Sequence, residues 1–292
     1  MTERLGLRDR YRGWLYAACG MLVVSTDSFF VRWSGAEVWD LLFWVSFISV
    51  GFYLVAGWRR GSTDALRAWL QFPLPLSVIA LLATVSQVTF IAAVTRTSIA
   101  NVVVIVGASP VIVALVGRVF FRERTSRRVW IAIFVTFLGM VVIVSGSIGQ
   151  PNLDGDLLAV VAVAAFSIGV NIWRRWPEMS RISGLLVASV LSIIIAAFFA
   201  APLSLDGRAF LACLGMGLLN PLGRLLHSSA SRYAPAAEVA LFTPVETLAA
   251  PLWAVLAFSE VPTLGTVIGA TIIIGGVLYG TVTANSPSKK LR

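Results

Sequence analysis

Lysine is missing from the first 288 residues of this 292-residue chain; the two present are Lys289 and Lys290. A nucleotide-binding G-x-x-x-x-G-K-[ST] loop is therefore excluded ahead of the tail, and with it an ATPase carried by the chain itself. Histidine occurs once, as His227, and cysteine twice, as Cys19 and Cys213. No ordinary zinc cluster or disulfide framework can be built from that set, so no metal or cofactor is expected. Both cysteines lie in apolar stretches, where a thiol acts as a small hydrophobe. Charge is also scarce, at 13% of residues against roughly 25% in soluble domains. No Asp-Asp, Ser-His or H-E-x-x-H arrangement suited to an intramembrane protease is visible, and an enzyme is not expected.

What is present is apolar. Hydrophobic residues make up 58% of the chain and the mean hydropathy is +0.87. Runs of about 20 apolar residues recur along its length, as bilayer-spanning helices require. Arg, Pro and Gly punctuation divides them into ten predicted helices at 13–33, 38–58, 73–94, 98–120, 128–147, 156–174, 182–202, 208–230, 236–258 and 263–284. The segment 59–72 reads as a surface loop with an interfacial turn of helix. The basic N-terminus (Arg4, Arg8, Arg10, Arg12) precedes a stretch that contains Asp27 and lacks an A-x-A site, so it is read as an uncleaved first span.

The net charge of +9 would suit nucleic acid if it formed one face, but the arginines fall between apolar segments. One side of the ten-helix topology collects 20 Lys and Arg; the other has Arg32, Arg96 and Arg208. By the positive-inside rule both termini are then cytoplasmic, in the inner membrane.

A shift of 137 residues aligns the chain with itself. Ala100-Asn101 meets Ala237-Glu238, Glu123 meets Glu260, and Gly139 meets Gly276. Two halves of five spans, 1–150 and 151–292, follow. Because five is odd, they enter the membrane from opposite sides, which is the architecture of alternating-access carriers. The fold expected is an all-α integral membrane protein of ten transmembrane helices, two inverted five-helix repeats around a central cavity.

The pattern Pro110, Glu123 within Arg122-Glu123-Arg124, and Gly139, echoed by Glu246-Thr247, Glu260 and Gly276, resembles the paired EamA repeats of the drug/metabolite transporter superfamily. Thr243-Pro244-Val245-Glu246-Thr247 departs from the family pattern, its proline displaced by three positions. Within that superfamily the chain is most similar to the ten-span YddG amino-acid exporters. The resemblance implies a cavity lined by spans 1, 3, 4, 6, 8 and 9, with spans 5 and 10 behind it. Small-residue spacings in span 10, Gly265-xxx-Gly269 and Gly276-xxx-Gly280, suit close helix packing.

Ionisable groups inside a bilayer are costly, so each is a candidate for function. Glu246, between Pro244 and Pro251, is placed to bind a substrate ammonium group or a proton; the competing role is a hydrogen bond within the bundle. Asp27, amid Ser25, Thr26 and Ser28, is a second candidate for substrate or proton, against pairing with Arg32. His227 is a third proton-coupling candidate, against a plain interfacial role. Thr84, Gln87, Asn101, Ser109, Ser167, Asn171 and Asn220 complete the expected cavity set, each equally able to join helices. Pro110, Pro221, Pro244 and Pro251 are the expected kinks. Glu123 and Glu260 are read as helix-end acids. Most tryptophans mark interfaces; Trp44 and Trp253 lie deeper, toward lipid or cavity. With arginines near span ends and mid-span positions neutral or acidic, phosphorylated substrates are disfavoured.

The sequence therefore predicts a secondary transporter exporting amino acids, apolar and aromatic ones favoured, by alternating access. Another metabolite class (nucleoside, sugar, amine or drug) and a channel are the alternatives. A small-molecule substrate and the lipid bilayer are the expected partners, without nucleic acid, for a carrier expected to be monomeric.

Overall fold

A chain that is apolar over runs of about twenty residues must satisfy its backbone amides internally once in lipid, which leaves helices or a closed barrel. The computed structural model describes residues 7–58, 63–94, 96–97, 99–145, 152–202, 205–258 and 264–282, and all regular structure among them is helical. α1 (Leu7–Val24) and α2 (Thr26–Ser34) occupy the first predicted segment, and α3 (Val38–Trp58) the second. α4 (Thr63–Gln71) is a short helix in the predicted loop. α5 (Pro73–Val94), the pair α6 (Ile99–Gly107) and α7 (Ser109–Phe120), and α8 (Arg127–Val144) come next. α9 (Leu153–Arg175), α10 (Arg181–Ala196), α11 (Gly207–Ala230), the pair α12 (Ala236–Ala240) and α13 (Pro244–Phe258), and α14 (Leu264–Val282) follow. Glu260 lies outside the described residues.

Among the described residues, six stretches are long and apolar enough to cross a membrane: Leu7–Ser34, Val38–Trp58, Pro73–Ala93, Leu153–Arg175, Gly207–Ala230 and Leu264–Thr281. Ser109–Phe120 and Arg181–Ala196 are apolar but shorter. Large apolar side chains such as Leu81, Phe134 and Leu256 stand exposed on the outside. That inversion of the soluble pattern marks a multi-pass membrane protein.

Helices pack antiparallel through small residues. In the α8–α14 pair, a Cβ added to Gly269 would lie 2.5 Å from Gly139 O and from Ile143 Cγ1. Gly139 faces Ile273, Gly276 faces Thr136, and Gly280 faces Ala132. The 137-residue shift exchanges the contact Gly139–Ile273 with Thr136–Gly276, and Ile143–Gly269 with Ala132–Gly280. α1 and α11 meet as closely, Gly20 against Gly223 and His227, and Gly13 against Ala234. α5 and α9 run antiparallel too, with Gly155 against Thr97 and the Ser86 hydroxyl donating to Ala162 O at 2.9 Å.

Among the described residues, three interruptions fall inside predicted spans. One falls at Ser25 between α1 and α2, one at Ala108 ahead of Ser109-Pro110, and one at 241–243 ahead of Pro244. Proline accounts for the last two, since it supplies no N–H and its ring clashes with the preceding turn. Irregular backbone at membrane depth is tolerated where protein or a cavity surrounds it.

Candidate functional site

The break at Ser25 has a local cause. Ser25 donates its hydroxyl to Leu22 O at 2.6 Å, and Thr26 donates to Val23 O at 2.7 Å. Such back-bonding competes with the helical ladder and bends it. Ser25 also accepts a 2.9 Å hydrogen bond from Trp253 Nε1, which ties the break to α13. Asp27 follows in the first turn of α2. Its Oδ2 accepts a short hydrogen bond from Asn220 Nδ2 of α11, while Oδ1 is buried with no hydrogen-bond partner among the described residues.

α11 is shaped by Pro221, which cannot donate to Gly217 O. Ser49, whose hydroxyl donates to Val45 O at 2.7 Å, also approaches Gly217 O at 3.4 Å. Tyr53 donates to Pro221 O at 3.3 Å. The Ser49 hydroxyl thus supplies part of what Gly217 O loses to the proline, while Tyr53 adds a second tie from α3 to α11. Beside them Ser46, Tyr53, Gln87, Ser189, Asn220 and Arg224 line a cavity of about 10 Å³, room for roughly one water.

Arg224 is the member that sequence reasoning misplaced. Counted as a loop charge, it lies instead on the cavity wall, so the expectation of a neutral or acidic interior is corrected. Its guanidinium acts electrostatically on Asp27, Tyr53, His227 and Glu246, and Glu246 acts on Asp27. Asp27, Asn220, Glu246, His227 and Gln87 therefore gather around Arg224. His227 is buried, its ring stacked on Phe166 with centroids 5.8 Å apart, and its Nε2 is without a partner among the described residues.

The other expected residues lie elsewhere. Thr84 donates its hydroxyl to Ala80 O at 2.8 Å and reaches Ala188 O at 3.2 Å, joining α5 to α10. Asn171 donates to Val113 O at 3.1 Å and Ser167 O at 2.9 Å, joining α9 to α7. The Ser109 and Ser167 hydroxyls are fully buried, without partners among the described residues. Asn101 reaches Thr97 Oγ1 at 3.3 Å and Asp156 Oδ1 at 3.5 Å near the start of α9. Pro110 stands at the start of α7 and Pro244 at the start of α13, while Pro221 and Pro251 lie within α11 and α13. Glu123, read as a helix-end acid, is ion-paired to Arg174 at 3.3 Å. Trp44 donates to Pro202 O at 2.9 Å. No group of three or more His, Cys, Asp or Glu that could hold a metal occurs among the described residues.

The chain is similar to known proteins. The model of the EamA-like transporter family matches residues 11–145 and 153–281. A riboflavin transporter of Brucella anthropi is 25% identical over 228 residues, covering 75% of this chain and 80% of its own. A solved crystal structure with 19% sequence identity superposes with a TM-score of 0.81, covering 95% of this chain and 100% of that one, which speaks for the fold alone.

Proposed function

Because the chain belongs to the EamA-like transporter family, we propose that it exports amino acids with apolar or aromatic side chains across the inner membrane by alternating access. The observation that carries this reading is the pairing of Asp27 with Asn220 at the Ser25 break, with Glu246 beside it. A carboxyl oxygen without a partner, next to interrupted helices, suits an ammonium group that arrives and leaves. Asp27 and Glu246 are also the proton-coupling candidates, with His227 as a relay.

The transporter has ten crossings in this reading, as two inverted halves, 1–150 and 151–292, with both termini cytoplasmic. The symmetric exchange of α8–α14 contacts supports the pseudo-two-fold relation, and antiparallel packing fits an axis in the membrane plane. Two matched family stretches of similar length fit the same division.

A flavin is the second reading, favoured by the riboflavin transporter relative. Flux in proteoliposomes separates them: phenylalanine and leucine against riboflavin, a nucleoside and a sugar, with and without a pH gradient. Saturable amino-acid flux is the expected result, and its pH response decides coupling. Riboflavin flux without amino-acid flux sinks the amino-acid reading and keeps the carrier.

A further inference from the structure

Arg224 is a guanidinium within the helix bundle that makes no hydrogen bond or ion pair among the described residues. It is the eighteenth of the 24 residues of α11, about 9 Å of helix short of Ala230 at 1.5 Å per residue. An arginine at a helix end can snorkel its head to the interface. Arg224 lines the polar cavity instead.

Its neighbours in sequence type show what a satisfied arginine looks like in this fold. Arg181 gives its donors to Trp173 O at 3.1 Å, Pro177 O at 2.5 Å and Met179 O at 2.7 Å. Arg10 and Arg174 are ion-paired to Glu238 and Glu123. Arg224 has Asp27 and Glu246 within electrostatic reach, but neither makes an ion pair with it among the described residues. Arg224 is half-buried and its guanidinium has no contact partner among the described residues, so its donors are open to an incoming anion, and the same group of residues leaves Asp27 Oδ1 and Ser46 Oγ buried and unpartnered. Arg224 and the Ser46 hydroxyl line one cavity, and Asn220 on the same wall donates to Asp27, whose other oxygen is unsatisfied, so groups for opposite charges stand in one neighbourhood.

We infer that Arg224 binds the carboxylate of the transported substrate while Asp27 and Glu246 receive its ammonium group, so that the carrier selects zwitterions. This rests on the amino-acid reading above and deepens it. The guanidinium fork fits a planar carboxylate with two parallel hydrogen bonds, which a lysine cannot reproduce. A neutral flavin offers no such group. The cavity is closed to about one water in this conformation.

The test is binding to the purified full-length protein, read as a shift of the thermal unfolding midpoint with 3-phenylpropionate, its neutral amide and phenylalanine. Wild type is expected to bind the carboxylate about 10- to 100-fold more tightly than the amide, the range of a hydrogen bond to a charged group. Arg224→Gln brings that ratio to near one, and Arg224→Lys keeps only part of it. Should Arg224→Gln fail to purify as a monodisperse protein, the wild-type ratio and Arg224→Lys decide. A wild-type ratio near one, or a full ratio retained in either variant, overturns the proposal. Since 3-phenylpropionate has no ammonium group, its behaviour judges Arg224 separately from phenylalanine flux, which judges the amino-acid reading.

Discussion

Glu238 and Arg10 are 228 residues apart in sequence and joined by an ion pair, with Arg10 Nε 3.2 Å from Glu238 Oε2. Trp14 Nε1 donates to the same Oε2 at 3.0 Å, and the Arg10 guanidinium lies over the Trp14 ring at 5.7 Å. The carboxylate is thus held from two sides, and the start of α12 is fastened to the start of α1. Removing its charge by Glu238→Gln is expected to cost about 1.5–3 kcal/mol, the range for hydrogen bonds to charged groups. A double-mutant cycle with Arg10→Gln, read by thermal unfolding, checks it. Additive single effects would show that the pair does not couple.

A second prediction concerns the α8–α14 seam. A side chain at Gly269 meets backbone, Gly139 O, which cannot swing away as a rotamer can. Gly269→Val is expected to destabilise by about 1–3 kcal/mol through overpacking. Gly275 in the same helix has nothing within 4 Å of an added Cβ, so Gly275→Ala is expected to be neutral or to stabilise by up to about 1 kcal/mol through helix propensity. Comparable losses at both positions would mean that the close approach is not what the glycine serves.

How far these relationships are legible in sequence depends on their range. The helices follow from hydropathy, and the breaks ahead of Pro110 and Pro244 follow from proline chemistry. The break at Ser25 has no proline; it comes from two hydroxyls taking carbonyls three residues back, which a Ser-Thr pair does not announce. Asp27 stood out because an acid in an apolar run is rare, but its Asn220 partner is 193 residues away. Arg224 was hidden by its distance from a helix end, where headgroup and cavity positions look alike. Thr84 and Asn171 show the converse, since polarity in a span does not reveal whether a hydroxyl or amide is consumed by a neighbouring carbonyl.

That last contrast gives a third prediction. Thr84→Val removes bonds to Ala80 O and Ala188 O, so it is expected to cost about 1 kcal/mol in stability and leave KM for substrate unchanged. Asp27→Asn and Glu246→Gln are expected to do the reverse, cutting transport at least about tenfold, the equivalent of roughly 1.4 kcal/mol, with little change in Tm. Flux and unfolding measured on the same preparations separate the two classes. Wild-type flux from both acid variants would remove these carboxyl groups from the transport cycle.

The fourth prediction joins the two ends of the molecule. At one end Arg10 and Trp14 hold Glu238; at the other Thr97 donates to Asp156 Oδ1 at 2.8 Å, and Asn101 reaches the same oxygen. α9 runs between them, since Asp156 is in its first turn and Arg174, in its last, reaches Ser231 O at 3.2 Å beside the α11–α12 turn. The step of 18 residues from Asp156 to Arg174 corresponds to about 27 Å of helix, close to the hydrocarbon thickness of a bilayer. Glu238 and Asn101 are also the residues that the 137-residue shift superposes. Under the alternating-access reading proposed above, an exchange of access between the two sides would open one fastening while the other stays closed. Glu238→Gln is therefore expected to raise hydrogen–deuterium exchange in α12 and lower it around Thr97 and Asn101, and Asp156→Asn to do the opposite. If each variant loosens its own end and leaves the far end unchanged, the two fastenings are independent braces and do not act as alternating gates.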